Sequence, residues 1–555
     1  MVKNFCRLIK GVMTEDHWAF ILIALGILIR LKCFFENCSF CPDEAYVAIE
    51  IVHRSFKEIF SFQRIFPSQP SHPLLFIVLV KLAGLLFGNY EFILRLVPII
   101  SGIVTLFLFD RLLKLILPFA YRLLALMFFI FFDQFTYIAS ELKPYATDVV
   151  VSLALYLFLE YSRRRSFDIK LAAQWGLFGM VVMWLSSSSI FILGGFGLTA
   201  LMGFVCRRQW RQLRLSLETF LLWLVSFIPL YILSFKPMTL SKDLLGMWGN
   251  YNAFMPQPFL SIASMIWIKK SFLQIFHSMN LHLPYLAGAV FLMGCVSFFK
   301  KDRTRLAFFL APLLLTFLAA VLGKYPFYGR MLFFLTPVLF ILLVEGIDFC
   351  GKVLKFRAYV TEIVLAGLLL FYPMHQSIHY LVQPRCHDHG REMVRYLINN
   401  YHPNGTVYIP ADSAYVFAYY ASQTRFNEAL PFSLFSVIGD QTLRAAKWGR
   451  FSRQLFGQAH NPYFYFRYQF VCFDEQGFFR EVLCHDEMSR IQKIFSDTPV
   501  DFLDRGDVWI YLDQMQPQAK RFILDYFHRH ARRIKRYEID DTAMYLFHLP
   551  SPPRD

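Results

Sequence analysis

Charge is what this sequence has least of. Charged residues fill 17% of its 555 positions, where a soluble domain carries about a quarter, and 40 Asp and Glu are outnumbered by 63 Phe. The shortage argues against an ordinary soluble protein, and an aromatic content of 18% excludes a disordered chain or a coiled coil. Ten cysteines are scattered, several inside apolar runs, and build no disulfide framework. Cys38 and Cys41 stand as a lone C-x-x-C with no second pair, which disfavours zinc and leaves a local disulfide open. No small-residue cleavage site follows the first apolar run, so that run reads as a retained span. Internal repeats and low-complexity stretches are absent too. What remains is a polytopic membrane protein. The formal net charge of +16 would suggest nucleic acid in a soluble chain, but here it belongs in cytoplasmic loops, and no nucleic-acid partner is expected.

Apolar runs long enough to cross a bilayer recur as far as about residue 375 and then stop. They lie at 18–35, 93–110, 121–139, 145–162, 171–186, 188–205, 216–235, 282–299, 305–322, 331–348 and 359–375. The segment 73–88 is ambiguous, since it carries Lys81 midway and is bracketed by Pro73 and Gly88. Lys and Arg near span ends stay cytoplasmic, which arbitrates. If 73–88 does not cross, the basic connections at 111–122, 163–165, 207–214, 300–305 and 352–357 all fall on the side of Lys3, Arg7 and Lys10. The expectation is therefore about eleven spans, with 73–88 lying in or re-entering the interface. The N-terminus is then cytoplasmic, and residues 376–555 lie outside the cytoplasm.

That tail has another composition. Short β-like runs at 406–410, 468–473, 508–512 and 543–549 alternate with helix-like stretches at 389–400 and 517–531, which reads as a soluble α/β domain. It lacks G-x-G-x-x-G, G-x-x-x-x-G-K-[ST] and H-E-x-x-H, so neither nucleotide nor zincin chemistry is visible. The expected division is a transmembrane catalytic domain at 1–375 and a soluble domain at 376–555.

Sorting polar residues by side collects a constellation on the outer face. The first outer loop carries Asp43, Glu44 and Tyr46 and ends in His72-Pro73; the next outer turn is Glu141-Leu-Lys143-Pro-Tyr145; a later one ends in Tyr328-Gly-Arg330. Ionisable groups at the edge of hydrocarbon are costly and tend to face a cavity. Each has a plainer reading: Asp43 and Glu44 as the cap of the helix that follows, Glu141 and Lys143 as snorkelling residues, Arg330 as a span anchor. Their convergence on one side carries more than any member. A carboxylate can take the proton of a hydroxyl or amine nucleophile while Lys and Arg neutralise a phosphate leaving group, which fits transfer from a lipid-linked phosphate donor.

These residues resemble the GT-C glycosyltransferases. The likeness rests on the Asp43-Glu44 pair, the His72-Pro73-Leu74 entry to a juxtamembrane helix, Glu141-Leu-Lys143-Pro-Tyr145, and Tyr325-Pro-Phe-Tyr328-Gly-Arg330. Segments 88–98 and 247–256 add to it. The nearest group is the bacterial one with protein O-mannosyltransferase-like, aminoarabinose-transferase-like and lipopolysaccharide-core enzymes. The resemblance implies an α-helical polytopic membrane protein of GT-C fold with a C-terminal soluble α/β domain, placed in a bacterial inner membrane with that domain periplasmic. It implies an inverting transferase that takes a sugar from a polyprenyl-phosphate donor. The acceptor is a lipid, an envelope glycan or a protein. It makes Asp43 the catalytic carboxylate with Glu44 beside it. It places Lys143 and Arg330 on the lipid phosphate and gives His72, Glu141 and Tyr145 to the substrate cavity. Some members use a divalent cation, for which Asp43 and Glu44 would offer ligands. His72 is followed by Pro-Leu where the family often has Pro-Pro, and the Cys38/Cys41 pair has no place in the family pattern. A transporter or lipid flippase is the rival, disfavoured by charges at span ends rather than midplane and by the absence of an inverted repeat.

Overall fold

The computed structural model describes residues 15–61, 72–236, 238, 242–259, 261–354, 358–383, 385–386, 388–400, 406–409, 415–417, 419–420, 464–466, 471–473, 479–481, 507–512, 517–540 and 542–548. Lys3, Arg7, Lys10, Lys355 and Arg357, all used to orient the chain, lie outside them. The chain divides into two compact units, Met1–Glu36 with Pro70–Pro384, and Asn37–Gln69 with Arg385–Asp555.

The first unit is built of helices joined by short turns and loops. Seven stretches among the described residues are long and apolar enough to cross a membrane: Glu15–Glu36, Leu96–Ile116, Ser189–Cys206, Trp210–Phe235, Arg303–Val321, Gly329–Val353 and Ala358–Val382. This is an integral, multi-pass membrane protein. Tyr145–Ser162, Ile169–Leu185 and Pro284–Lys301 add helices of 18, 17 and 18 residues at three more of the expected runs. Leu74–Phe87 is a helix of 14 residues, about 21 Å at 1.5 Å per residue, short of the ~30 Å of hydrocarbon. Gly88, at φ +98°, ends it in a conformation that suits only glycine.

Local chemistry sets the boundaries. The side chains of Asp168, Ser261 and Asp302 accept from the backbone N–H groups of Leu171, Ser264 and Arg305 at 2.8, 3.1 and 2.9 Å, capping three helices. Pro229 interrupts the donor ladder of Trp210–Leu230, and Tyr231–Phe235 continues as a π-helix. The run expected as one span over 121–139 is instead broken. Phe119–Phe131 and Asp133–Ala139 meet at 56°, so together they make at most an eighth span. The cause is Asp133, a buried carboxylate that takes the first turn of the second helix and accepts from Asn280 Nδ2 at 2.5 Å. The long connection after Tyr231–Phe235 contains the helices Lys242–Asn250 and Ile262–Ser278.

Phenylalanine fills the centre of the unit. Phe128, Phe132, Phe135, Phe333 and Phe340 interlock with ring centroids 4.7–6.0 Å apart around Thr336–Val353, a helix buried over most of its length. That helix lies against Pro284–Lys301 backbone to backbone: a Cβ on Gly294 would stand 1.9 Å from the Leu342 carbonyl oxygen, and one on Gly346 1.9 Å from that of Val290.

The second unit has a five-stranded sheet in the order β2-β1-β5-β7-β6, formed by β1 Thr406–Ile409, β2 Phe464–Phe466, β5 Asp507–Leu512, β6 Arg532–Ile539 and β7 Thr542–His548. β1 runs parallel to β2 and β5; β7 runs antiparallel to β5 and β6. β3 Val471–Phe473 and β4 Phe479–Glu481 form a separate antiparallel pair. Trp509–Leu512 and Ala543–Phe547 bury the centre, while β6 exposes a basic edge. The α/β reading of the tail holds, although β6 was not expected.

Candidate active site

Alternation of the helices in the first unit gives it two chemically distinct ends. At one end basic residues meet acidic ones. Arg122 Nε lies 2.7 Å from Asp110 and Lys114 Nζ 2.7 Å from Asp16. Arg163 reaches Asp302 at 2.6 Å, Arg305 reaches Glu160 at 2.8 Å, and Lys301 pairs with Glu345. This is the end to which the positive-inside argument assigned the cytoplasm.

The opposite end holds the turn before Tyr145–Ser162. The backbone N–H of Lys143 donates to the Glu141 carbonyl at 2.7 Å, and both side chains are 2% exposed. Arg330, opening the short 3-10 helix Gly329–Leu335, crosses to this turn: its Nη1 donates to Glu141 Oε1 at 3.0 Å and its guanidinium stacks 5.1 Å from the centre of the Tyr145 ring. Residues 189 positions apart are thus brought to one place. Glu141, Tyr145 and Arg330 were all expected at the site, and here they touch. Lys143 is buried in the same turn.

Two further residues belong beside them: Asp148, which the sequence reading passed over, and Tyr325, which it named only as part of the segment leading to Arg330. Asp148 sits one turn into the helix, and its carboxylate accepts from Ser186 Oγ at 2.5 Å. Tyr325 donates to the Met331 carbonyl at 3.0 Å and meets the Phe191 ring at 4.7 Å. Burial above all, then the nearby Asp148 and Tyr145 groups, hold its phenol protonated well above the usual tyrosine range. Asp148 carried a visible signal, an acidic residue inside an apolar run; Tyr325 was visible as the start of the Tyr325–Arg330 segment, without a role of its own. The 247–256 segment, also singled out, packs nearby: Phe327 N–H donates to the Ala253 carbonyl at 2.9 Å and Tyr251 stacks on Tyr328 at 5.5 Å. His72 is half-buried immediately before Leu74–Phe87, with Lys81 buried midway along that helix.

Asp43 and Glu44 belong to the second unit, on the helix Pro42–His53. Pro42 opens the helix at a position that needs no N–H donor. Glu44, 4% exposed, reaches back to accept from the Cys41 backbone N–H at 3.4 Å, so it closes the helix start. Asp43, half-buried, stands in the same first turn. The turn is fastened to the C-terminal part of the chain: Phe40 N–H donates to Tyr420 Oη at 2.7 Å and Ser39 Oγ to Glu392 at 3.0 Å. Cys38 is disulfide-bonded to Cys386, across 348 positions. The local Cys38–Cys41 disulfide left open by the sequence does not form, because the Cys38 sulfur is bonded to Cys386; Cys41 stands at the N-cap of Pro42–His53. Among the described residues neither Asp43 nor Glu44 joins a group of three ligating side chains. With Glu44 turned onto backbone, the pair does not present the multi-carboxylate cage of a dedicated cation site.

No family model matches the chain, and no curated protein matches it by sequence. Solved structures do. ArnT from Cupriavidus metallidurans in the apo state aligns with a TM-score of 0.50 at 10% identity, over 96% of this chain and 98% of that one. The same protein bound to undecaprenyl phosphate aligns at 0.45 and 12% identity, over 96% and 98%. The Archaeoglobus fulgidus oligosaccharyltransferase tethered with an acceptor peptide aligns at 0.49 and 12% identity, over 93% and 83%. The fold is that of the GT-C membrane transferases.

Proposed function

We propose that this protein is a glycosyltransferase that moves a sugar from a polyprenyl-phosphate donor to a lipid, an envelope glycan or a protein. The observation that carries the reading is the buried turn of Glu141, Lys143 and Tyr145 with Arg330 locked onto it, at the end of a bundle of membrane-crossing helices. Cations held there, close to hydrocarbon, suit a ligand with an apolar tail and a phosphate head. A transporter would leave this end-located cluster without a task, and the fold adds weight to the transferase reading.

The chemistry follows from the residue types. A hydroxyl or amine of the acceptor attacks the anomeric carbon, the bond from that carbon to the phosphate oxygen breaks, and the polyprenyl phosphate departs with the electron pair. Lys143 and Arg330 neutralise the charge that develops on the phosphate. Glu141 fixes the plane of the guanidinium, and Tyr145 supports it from below. Asp43 takes the proton from the nucleophile, with Glu44 holding the turn that presents it. One displacement inverts the anomeric centre. His72 lines the cavity in this scheme. The basic end faces the cytoplasm and residues 376–555 lie in the periplasm, a placement supported by the excess of Lys and Arg at that end.

The test supplies purified protein in liposomes with undecaprenyl-phosphate sugars and follows release of undecaprenyl phosphate by mass spectrometry. Release that depends on protein and acceptor is expected for one sugar. No release from any sugar-loaded carrier, by protein that binds the carrier, would remove the transferase reading.

A further inference from the structure

The end of the first unit opposite the Glu141 turn contains a cavity of about 510 Å³, large enough for a drug-sized ligand or a stretch of lipid chain. It opens between the ends of Tyr145–Ser162 and Ser189–Cys206 and the starts of Ile169–Leu185, Trp210–Leu230 and Arg303–Val321. Eighteen residues of Tyr145–Ser162, about 27 Å, separate it from the proposed catalytic turn.

The lining is graded. The inner wall is aromatic, formed by Trp175, Phe196, Phe220 and Trp223. The indole N–H groups there are already committed, Trp223 to the Trp175 carbonyl at 3.0 Å and Trp175 to Ser162 Oγ at 3.1 Å, so the wall presents ring faces and carbon. The mouth is basic, with Arg163, Arg165 and Arg207. Arg163 is spent on Glu160 and Asp302. Arg165 and Arg207 form no ion pair among the described residues, although carboxylates partner many of the other cations at this end. A second observation is Ser216, 4% exposed on the cavity wall, whose hydroxyl has no hydrogen-bond partner among the described residues. Gly203 lies on the lining as well, and a Cβ there would meet nothing within 4 Å.

We propose that this cavity binds a membrane phospholipid with an anionic phosphodiester headgroup, one chain against the aromatic wall and the phosphate between Arg165 and Arg207. Two guanidiniums without carboxylates supply the forked donors a phosphate takes, and basic pockets between membrane helices on the positively charged side suit such headgroups. The site is separate from the catalytic turn and does not depend on the reaction assigned there.

The test uses full-length protein in nanodiscs of phosphatidylcholine with a minor share of phosphatidylglycerol, released into native mass spectrometry to count retained lipid. Phosphatidylglycerol should be retained in preference to phosphatidylcholine. Arg165→Gln with Arg207→Gln should reduce that retention at least tenfold, and so should Gly203→Trp, which fills the open space. Arg164→Gln with Arg208→Gln, from the same basic loops but outside the lining, should leave it unchanged. Millimolar inorganic phosphate should not compete. Equal losses in both double variants would mean a general surface charge effect, and competition by inorganic phosphate would mean a site for the free ion; either overturns the proposal. So does undiminished retention in the Arg165/Arg207 variant, which leaves the wall packing untouched and serves if Gly203→Trp fails to fold.

Discussion

Arg330 and Glu141 are unequally sheltered: the carboxylate side chain keeps 2% of its exposure and the guanidinium 33%, so the arginine faces outward from a buried anchor. A planar fork held on one side by Glu141 and stacked on Tyr145 cannot be copied by a lysine. Arg330→Met should therefore lower sugar transfer by about 10²-fold, the scale of removing one preorganised donor from a developing charge. Arg330→Lys should recover only part of it, read from initial rates at saturating donor. Full activity in Arg330→Lys would show that only charge matters there. At this scale much was legible, because an ionisable residue in a chain 17% charged is conspicuous. Glu141, Lys143 and Arg330 were singled out that way, and Tyr145 by its place in the same turn. The contact that joins 141 to 330 was not, since nothing in either segment names the other. Tyr325 was named in its segment, but its place beside Tyr145 and Asp148 was not readable.

Among the elements, the two helices Pro284–Lys301 and Thr336–Val353 meet where neither Gly294 nor Gly346 has room for a methyl group. Gly346→Ala should push them apart at a cost of about 1–3 kcal/mol, seen as a lower melting temperature in detergent. The ion-pair network at the basic end gives a second expectation. Asp302, on the connection between two helices, is desolvated, which raises its pKa. Arg163 and the Arg305 backbone N–H more than offset this and hold the carboxyl below its ordinary value. A depressed carboxylate contributes stability above its unfolded pKa, near 3.8, and loses it as pH falls through the lower folded value. Acid titration of thermal stability should thus show a loss below about pH 4 that flattens in Asp302→Asn. Asp302→Ala also removes the cap on Arg303–Val321 and should cost about 1 kcal/mol more. Apolar length made most elements readable in advance, and the short Leu74–Phe87 helix followed from its brackets of proline and glycine. The break at Phe132 and the strand β6 were not readable. One depends on Asn280 reaching Asp133, and the other is a mostly basic run whose strand character comes from pairing with β7.

For the whole molecule, scarce charge explains both the membrane bundle and the economy of its sites. Many of the cations at one end are spent on carboxylates, Arg165 and Arg207 are left at a cavity mouth, and Lys143 and Arg330 stand at the other end. The grouping of Asn37–Gln69 with Arg385–Asp555 was beyond sequence reading, since it is tied by a disulfide across 348 positions and by Phe40, Ser39 and their partners. It also makes the loop bearing Asp43 part of a unit built mainly from the C-terminal sequence. The account stands or falls on that carboxylate as a base. The decisive measurement is the rate of sugar transfer from polyprenyl-phosphate sugar to acceptor by Asp43→Asn in liposomes, in protein that elutes and melts as the wild type does. The account predicts a fall of about 10²–10⁴-fold with donor binding retained. Transfer at the wild-type rate would contradict it.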